Sequence, residues 1–246
     1  MYKYLYYPES QYGGFADIDG TIAFYMRINS LISPQSVILD FGCGRGEYVD
    51  DDVLVRRQLR IFQGKCSKVI GLDVDPVAAK NPYIDEFHIL NSGTWPVTDD
   101  CIDLIICDNV LEHLEKPDVF FTEAARVLCN RGLLCIRTPN AWNYIALVSR
   151  FIPNKFHHTI LSRVQKTRKD EDVFHTFYRC NSIPRIRAIL RKSNFDSVVY
   201  GYEAEPVYLN FSKYAYLFGW LHQKFSPNMM RAAIFVFARI NKSLEK

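Results

Sequence analysis

The feature that most constrains this chain is an apolar run, Val37–Phe41, that leads into three alternating glycines. An apolar, β-branched run closed by glycines is typical of a buried strand that enters a tight turn. Gly42, Gly44 and Gly46 permit backbone angles and close ligand approach that a Cβ would prevent. Asp40, within the run, places a carboxylate beside the turn. The pattern predicts that a small ligand binds on this turn.

The spacing of the glycines separates two interpretations. A dinucleotide-binding turn has the pattern G-x-G-x-x-G and seats a pyrophosphate at the start of the following helix. In this chain the third glycine, Gly46, comes one residue early and Glu47 stands in its place, where a carboxylate would oppose a pyrophosphate. The region instead resembles motif I of the class I S-adenosylmethionine-dependent methyltransferases, in which an acid and any residue precede G-x-G-x-G.

That resemblance implies an α/β fold, a doubly wound Rossmann-like sheet of seven strands with the last strand antiparallel. It also implies S-adenosyl-L-methionine as cofactor, whose sulfonium and ammonium groups suit a site lined with acids. Carried onto this sequence, the cofactor-binding residues are Asp40, Gly42, Gly44, Gly46, Asp73, Val74, Asn91, Ser92, Asp108 and Asn109.

A second apolar run, Lys68–Val74, ends in carboxylates. An acid at the carboxyl end of a parallel strand can accept both hydroxyls of a ribose. By the resemblance this acid is Asp73, with Val74 beside the adenine, whereas Asp75, which precedes a proline, is typical of a helix cap. The family often has aspartate where Asn91 stands, and the asparagine carbonyl can still accept a hydrogen bond.

The block Asp103–Leu114 contains a strand, a carboxylate at its tip and a Leu-Glu-His-Leu segment. This segment is typical of methyltransferases with small-molecule and lipid-linked substrates. Methyl transfer from a sulfonium needs positioning above all, and a general base only when the acceptor is a hydroxyl. His113 and His175 are the candidate catalytic bases, and a purely structural role is the alternative. Tyr178 and Arg179 are the candidate substrate-binding residues, since this segment lies over the substrate opening in the resembled group.

The 246 residues, 48% of them apolar, are sufficient for one domain with a full core. The seven cysteines are scattered without zinc-ligand spacing, which favours reduced thiols and no metal site. We find no signal peptide, and the longest late apolar run, 232–238, is far shorter than the roughly 20 residues of a membrane span. We therefore expect a cytoplasmic protein, with peripheral membrane contact as an alternative.

The net charge of +3 is unevenly distributed. Residues 150–192 contain eleven Lys/Arg and three Asp/Glu, an excess of +8, which leaves −5 for the rest of the chain. A solvated surface, an anionic substrate and a membrane surface are the alternatives for this basic segment.

We predict a single methyltransferase domain with four parts: an N-terminal cap (1–36), a cofactor-binding core (37–140), a substrate-side basic segment (141–195), and closing strands (196–246) with a helical insertion at 207–225. In the insertion an apolar stripe recurs at helical spacing. Its members are Tyr208, Phe211, Ala215, Phe218, Leu221 or His222, and Phe225. The stripe could pack on the core, act as a lid, form a homodimer contact or contact a membrane.

The function that these patterns favour is S-adenosylmethionine-dependent methylation of a small-molecule, glycan-precursor or lipid-linked acceptor, by O-methylation and with an anionic acceptor. A nucleic-acid methyltransferase is the first alternative. Base methylation in this fold usually requires an Asn/Asp-Pro-Pro-Tyr/Phe motif, and residues 108–111 read Asp-Asn-Val-Leu instead, so no nucleic-acid partner is expected. The second alternative is a methyltransferase-like binding module without turnover.

Overall fold

The computed structural model describes residues 2–91, 93–144 and 175–242. A seven-stranded sheet in the order β3-β2-β1-β4-β5-β7-β6 forms its centre. The strands are β1 (Val37–Phe41), β2 (Lys68–Asp73), β3 (Glu86–Ile89), β4 (Ile102–Asp108), β5 (Leu128–Pro139), β6 (Phe195–Tyr202) and β7 (Ala233–Ile240). Neighbouring strands pair in parallel except β7, which is antiparallel to both β5 and β6. The predicted doubly wound fold with an antiparallel last strand is confirmed.

Helices cover both faces of the sheet, which is why its central strands are apolar on both sides. They are α1 (Lys3–Tyr6), α2 (Gly20–Asn29), α3 (Leu54–Arg60), α4 (Pro117–Val127), α5 (Ile183–Lys192) and α6 (Lys213–Phe225). One core cluster includes Phe121 of α4 and Ile186 of α5, and a second includes Phe24 and Ile28 of α2. The Asp19 carboxylate caps α2 by accepting from the backbone amides of Thr21 and Ile22, each over 2.9 Å.

Over Tyr48–Phe62, acids, apolar residues and arginines alternate with helical spacing, which predicts one continuous helix. This prediction is wrong. A short 3₁₀ turn, Glu47–Asp50, is followed by a separate helix α3 that begins at Leu54. The Asp51 carboxylate accepts from the amide of Val53 over 2.9 Å and pairs with Arg56 over 2.8 Å. Such a side-chain bond to a nearby amide competes with helix formation, so the chain turns at this acid.

The insertion at 207–225 is helical, but its predicted apolar stripe does not pack on the core. Phe211, Phe218 and Phe225 are 69%, 56% and 79% exposed, whereas Tyr216 on the other face is 1% exposed. Gly219 is also buried, because it lies so close to Pro206 that a Cβ would approach the proline Cβ to 2.5 Å. The helix is apolar around most of its circumference, so periodicity alone could not identify the buried face.

Parts of the sequence prediction lie outside the described residues. These are Ser92 and residues 145–174, which include most of the predicted basic segment. Its described remainder carries Arg179, Arg185, Arg187, Arg191 and Lys192. Within the described ranges, no helix combines the length and the apolar character that crossing a bilayer requires.

Candidate active site

The glycine turn after β1 is left-handed at all three glycines, with φ of +75° at Gly42, +54° at Gly44 and +78° at Gly46. A Cβ at Gly42 would overlap the side chain of Val110, and a Cβ at Gly46 would lie 2.7 Å from the Asn81 side-chain oxygen. At Gly44, in contrast, no atom lies within 4 Å of the Cβ position. Two of the glycines therefore permit close packing, and Gly44 keeps open space above the turn.

Neighbouring side chains fix the turn in place. Asp73 at the end of β2 accepts from the Gly44 amide over 2.9 Å with Oδ2, and from the Asp75 amide over 2.9 Å with Oδ1. The Asn81 amide group donates to the carbonyls of Cys43 and Gly44 over 3.0 and 3.2 Å. Each Asp73 oxygen retains a further lone pair, so Asp73 can still accept hydrogen bonds from a ligand.

Asp75 has a different role from Asp73. Its carboxylate accepts from the Val77 amide over 2.9 Å at the start of a 3₁₀ turn and pairs with Arg45 over 2.8 Å. The hydrogen bond from Arg45 and that from the Val77 amide hold the pKa of Asp75 below its ordinary value. The geometry matches the helix cap that the sequence suggested for Asp75.

A cavity of about 430 Å³ opens where the carboxyl ends of β1, β2 and β4 meet, and His175 and Phe177 also line it. In open α/β sheets ligands bind at this switch point between neighbouring strands, and small-molecule sites typically enclose about 300–1,000 Å³. Eight of the predicted site residues line the cavity, namely Gly42, Gly44, Asp73, Val74, Asp108, Asn109, His113 and His175. Its apolar lining consists of Phe41, Leu72, Leu90, Val110, Leu114 and Phe177.

The other predicted residues that the structure describes are not part of the cavity lining. Asp40 and Gly46 belong to the strand and turn that border it, and Asn91 is exposed one residue beyond the lining residue Leu90. Tyr178 and Arg179 follow Phe177 directly and are exposed. The binding roles of all these residues stay predictions.

Three carboxylates end the strands around the cavity. Burial and the charges of Asp108 and Asp73 together raise the pKa of Asp40 to about 7, while Arg60 opposes them. A buried acid that faces two others is stabilised by a cation. These three carboxylates therefore fit a ligand that carries positive charge, as S-adenosylmethionine does.

Asp108 is already engaged by its neighbours. Arg137 donates to both of its oxygens, Tyr25 donates to Oδ2 over 2.8 Å, and the Asn109 amide group donates to Oδ1 over 3.0 Å. Burial alone would raise the pKa of Asp108, but the charge and hydrogen bonds of Arg137 hold it below the ordinary value. A carboxylate offers about four lone-pair sites, and all four are used here. Asp108 can attract a cation by its charge, but it has no hydrogen-bond acceptor left to offer.

The segment after β4 positions the two candidate bases. The Glu112 carbonyl accepts from the amides of Phe177 and Tyr178 over 2.8 and 3.1 Å. The His113 Nδ1 lies 3.0 Å from the carbonyl oxygen of His175. Because a carbonyl only accepts, Nδ1 carries the hydrogen, and Nε2 is then the ring nitrogen that can take up a proton.

A series of buried hydrogen bonds supports the segment around Glu112. Burial raises the pKa of Glu112, and its carboxylate accepts from the Thr138 hydroxyl over 3.0 Å. That hydroxyl in turn accepts from the Asn181 amide group over 2.6 Å. Tyr178, held by the Glu112 carbonyl, has a left-handed φ of +52°. The chain of bonds links β5 to the segment that borders the cavity.

Comparison with known proteins identifies the family. The profile of the methyltransferase domain family matches residues 21–199, well over half of the chain. The chain belongs to the class I S-adenosylmethionine-dependent methyltransferases. The cavity described above lies within the part of the chain that matches this family.

Relatives of known description are similar over part of their length. A probable S-adenosylmethionine-dependent methyltransferase of Mycobacterium tuberculosis (strain H37Rv) is 32% identical over 121 residues, 47% of this chain and 40% of the relative. A second, from Mycolicibacterium smegmatis, is 32% identical over 136 residues, 53% of this chain and 48% of the relative. The match spans half or less of the length of these methyltransferases.

Among solved structures, the methyltransferase bound to the Trm112 methyltransferase activator of Haloferax volcanii is similar in fold. The comparison has a TM-score of 0.60 and 12% sequence identity, and it covers 92% of this chain and 90% of the solved chain. At this identity the likeness concerns the methyltransferase fold alone.

Sequence reasoning missed three residues that shape the site. Arg137 and Tyr25 orient the Asp108 carboxylate by hydrogen bonds, and Asn81 holds the glycine turn. One signal was present, because Arg137 interrupts an otherwise apolar strand, Leu133–Ile136, and a charge in a buried strand requires a partner. Nothing local to Tyr25 or Asn81 indicated their partners, which come from distant parts of the chain.

Proposed function

We propose that this chain binds S-adenosylmethionine in the cavity at the switch point and transfers its methyl group to a bound acceptor. The observation that carries the proposal is the space kept open above Gly44, with the Asp73 carboxylate 2.9 Å from the Gly44 amide. Asp73 would accept the ribose hydroxyls, Val74 would contact the adenine, and the glycine turn would hold the methionine part. The cofactor supplies a methyl group on a positively charged sulfur, for transfer by in-line displacement.

The residues of the chain contribute position, charge and one proton acceptor. The apolar lining, with Phe41, Leu114 and Phe177 among its members, excludes water from the reacting groups. Asp40 and Asp108 provide negative charge toward the cation. For a hydroxyl acceptor, His113 would take up the proton at Nε2, while its Nδ1 bond to the His175 carbonyl fixes the ring.

The acceptor that we propose is anionic and is a small molecule, a glycan precursor or a lipid-linked compound, methylated on oxygen. Arg179 supports the anionic class, since it is exposed two residues from the cavity-lining Phe177 and can hold a phosphate or carboxylate bidentately. Arg179→Ala should raise the KM for the acceptor and leave cofactor affinity unchanged. Arg191→Ala, an exposed arginine in the last turn of α5, is the matched control.

Calorimetric titration with S-adenosylmethionine tests the proposal directly. We expect the wild-type chain to bind, and Asp73→Ala to bind at least about tenfold more weakly, because hydrogen bonds to a charged group are worth about 1.5–3 kcal/mol each. Asp75→Asn, whose carboxylate is occupied by Arg45 and the Val77 amide, should bind normally. A wild-type protein that folds and does not bind the cofactor would overturn the proposal.

Transfer of a labelled methyl group separates the functional alternatives. Saccharide, lipid and RNA fractions are offered in parallel with labelled cofactor, and label is expected in the saccharide or lipid fraction. Label in RNA alone would favour a nucleic-acid methyltransferase. Cofactor binding with no transfer to any fraction would favour a binding module.

A further inference from the structure

The helix α6 and the turns around it present a continuous apolar surface. Its members, here called the α6 surface, are Val207, Tyr208, Phe211, Tyr214, Phe218, Leu221 and Phe225. Their exposed fractions run from 41% at Leu221 to 82% at Tyr214. Five of the seven are aromatic. Clustered apolar side chains at this level of exposure mark an interaction site more often than isolated exposed residues do.

The opposite face of α6 is fixed to the protein, so the exposure of this surface is not the result of an undocked helix. Tyr216 is 1% exposed and packs against the rings of Tyr2 and Tyr6, with centroids 6.3 and 5.4 Å away. Trp220 lies 5.5 Å from Tyr6, and Gly219 contacts Pro206. The helix thus has one buried aromatic face and one exposed aromatic face.

The segment that carries the α6 surface has charged side chains of one sign only. Residues 206–232 contain three Lys/Arg and no Asp/Glu. Lys213 and Lys224 are exposed at the two ends of α6, and the Lys224 ammonium lies 6.0 Å from the Trp220 ring centroid. The acids that precede the insertion are buried, with Glu205 paired to Lys3 over 3.0 Å. The surface is therefore apolar in its middle and cationic at its ends.

The surface lies at the same edge of the sheet as the cavity. Strand β6 runs parallel to β1, β2, β4 and β5, because β7 is antiparallel to both of its neighbours, so α6 follows a carboxyl end. The side chain of Asn140, directly after β5, donates to the carbonyls of Met229 and Arg231, each over 2.8 Å. This bond ties the turn after α6 to the edge where the cavity opens.

We propose that the α6 surface docks the protein on an anionic lipid surface. Exposed aromatic and aliphatic side chains with flanking lysines match the boundary between headgroups and acyl chains, where the rings enter and the lysines contact anionic headgroups. A second copy of the chain is a poorer match, because the segment 206–232 of each copy would bring the same cations and no acid of its own to the interface. The docking goes beyond the proposed methyl transfer and does not depend on it.

Co-sedimentation with vesicles tests the docking. The full chain is mixed with vesicles of phosphatidylcholine alone, or of phosphatidylcholine with phosphatidylglycerol, at low and high salt. We expect binding to the anionic vesicles at low salt and a marked loss at high salt or without phosphatidylglycerol. The double variant Lys213→Gln/Lys224→Gln should bind roughly 25-fold more weakly, about fivefold for each lost charge.

Two apolar variants separate docking from folding. Phe218→Asp should lose binding, and Met26→Asp is its matched control, since both residues are 56% exposed and lie inside a helix. Tyr214→Asp places an acid in the first turn of α6, where a carboxylate stabilises a helix, so its loss of binding cannot result from unfolding. Equal binding by Tyr214→Asp and the wild type would overturn the proposal.

The same protein samples distinguish lipid docking from a homodimer contact at the α6 surface. Light scattering that grows with protein concentration and is abolished by Phe218→Asp, with no vesicle binding, would show a homodimer surface and overturn lipid docking. A monomeric protein that does not bind vesicles would also overturn lipid docking. Calorimetry with S-adenosylmethionine on the same samples keeps the two proposals apart, since Tyr214→Asp and the lysine double variant are expected to retain full cofactor affinity.

Discussion

Arg137 donates from Nε and Nη2 to the two carboxylate oxygens of Asp108, each over 2.6 Å. The two residues face each other across β4 and β5, and Arg137 is only 8% exposed. The remaining Arg137 nitrogen, Nη1, donates to the Thr21 hydroxyl over 2.9 Å, and Tyr25 reaches the same carboxylate. A single buried ion pair thus fixes the covering helix α2 to the tips of two strands at the cavity.

We predict that Arg137→Met lowers the free energy of unfolding by about 3–5 kcal/mol, because it leaves the Asp108 carboxylate buried without its partner. Urea denaturation followed by circular dichroism measures the change. Adding Asp108→Leu to the same chain should recover much of the loss, since replacing both partners of a buried pair by apolar residues is often nearly neutral.

An exposed ion pair provides the control for this prediction. Arg185 and Asp118 lie 3.9 Å apart, and each is more than half exposed. Arg185→Met should cost less than about 1 kcal/mol. Equal costs at Arg185 and Arg137 would show that the buried pair has no special contribution.

Gly44→Val should abolish cofactor binding while the fold persists. The added side chain enters the open space above the turn, which is where we place the cofactor. Gly64→Val is the matched control, because Gly64 has a φ of +75° and also has no atom within 4 Å of its Cβ position. Both variants pay a similar backbone cost, roughly 1–2 kcal/mol. Thermal unfolding should therefore shift alike in the two, and calorimetry should show binding only in Gly64→Val.

Cofactor affinity should increase between pH 6 and pH 8 because of Asp40. Burial raises its pKa to about 7, so at the lower pH the free protein holds this acid largely neutral. A cationic ligand favours the ionised form, which means that binding near pH 7 should release a proton. Calorimetry in buffers of different ionisation enthalpy measures that release. Asp40→Asn should remove it, whereas Asp50→Asn, an exposed acid after the glycine turn, should not.

The same shift affects the stability of the ligand-free chain. The pKa of Asp40 is raised in the folded state to about 7, from about 4 in an unfolded chain. The folded state therefore binds the proton more tightly, and the contribution of Asp40 to the free energy of unfolding should fall as pH rises from about 4 to about 7. Asp40→Asn should flatten this part of the pH profile.

Thr138→Val should loosen the segment that borders the cavity. The Thr138 hydroxyl is buried between Glu112 and Asn181, and its loss removes a hydrogen-bond donor from the buried Glu112 carboxylate, at a cost of about 1–3 kcal/mol. The amides of Phe177 and Tyr178, which donate to the Glu112 carbonyl, should then exchange hydrogen faster. Thr122→Val on the exposed side of α4 removes a comparable hydroxyl and should change neither measurement.

Local sequence patterns were sufficient to predict several strands and many of the residues that line the candidate site. Apolar runs that end in acids or glycines gave β1, β2 and β4 within a residue or two, and parallel strands necessarily bring Gly44, Asp73 and Asp108 to one edge. The pairing of Asp108 with Arg137 was not predictable in this way. This pairing depends on the register of β4 against β5, which no local sequence pattern determines.

The insertion shows a second limit of sequence reasoning. Helical spacing correctly gave a helix, yet the face that packs is the one with Tyr216 and Gly219 rather than the predicted stripe. The deciding contacts come from Tyr2 and Tyr6, more than two hundred residues earlier. A helix that is apolar on several faces takes its orientation from partners that its own sequence does not reveal.

The position of β7 between β5 and β6 also sets the order in which the chain can fold during synthesis. β6 leaves the ribosome before β7, but in the described sheet its backbone partner is β7 alone. Until residues 233–240 have emerged, one edge of β5 is unpaired and β6 has no strand to pair with. A ribosome stalled before residue 233 would therefore hold a nascent chain with five strands assembled and β5 as a second open edge besides β3, a target for chaperones and a starting point for aggregation.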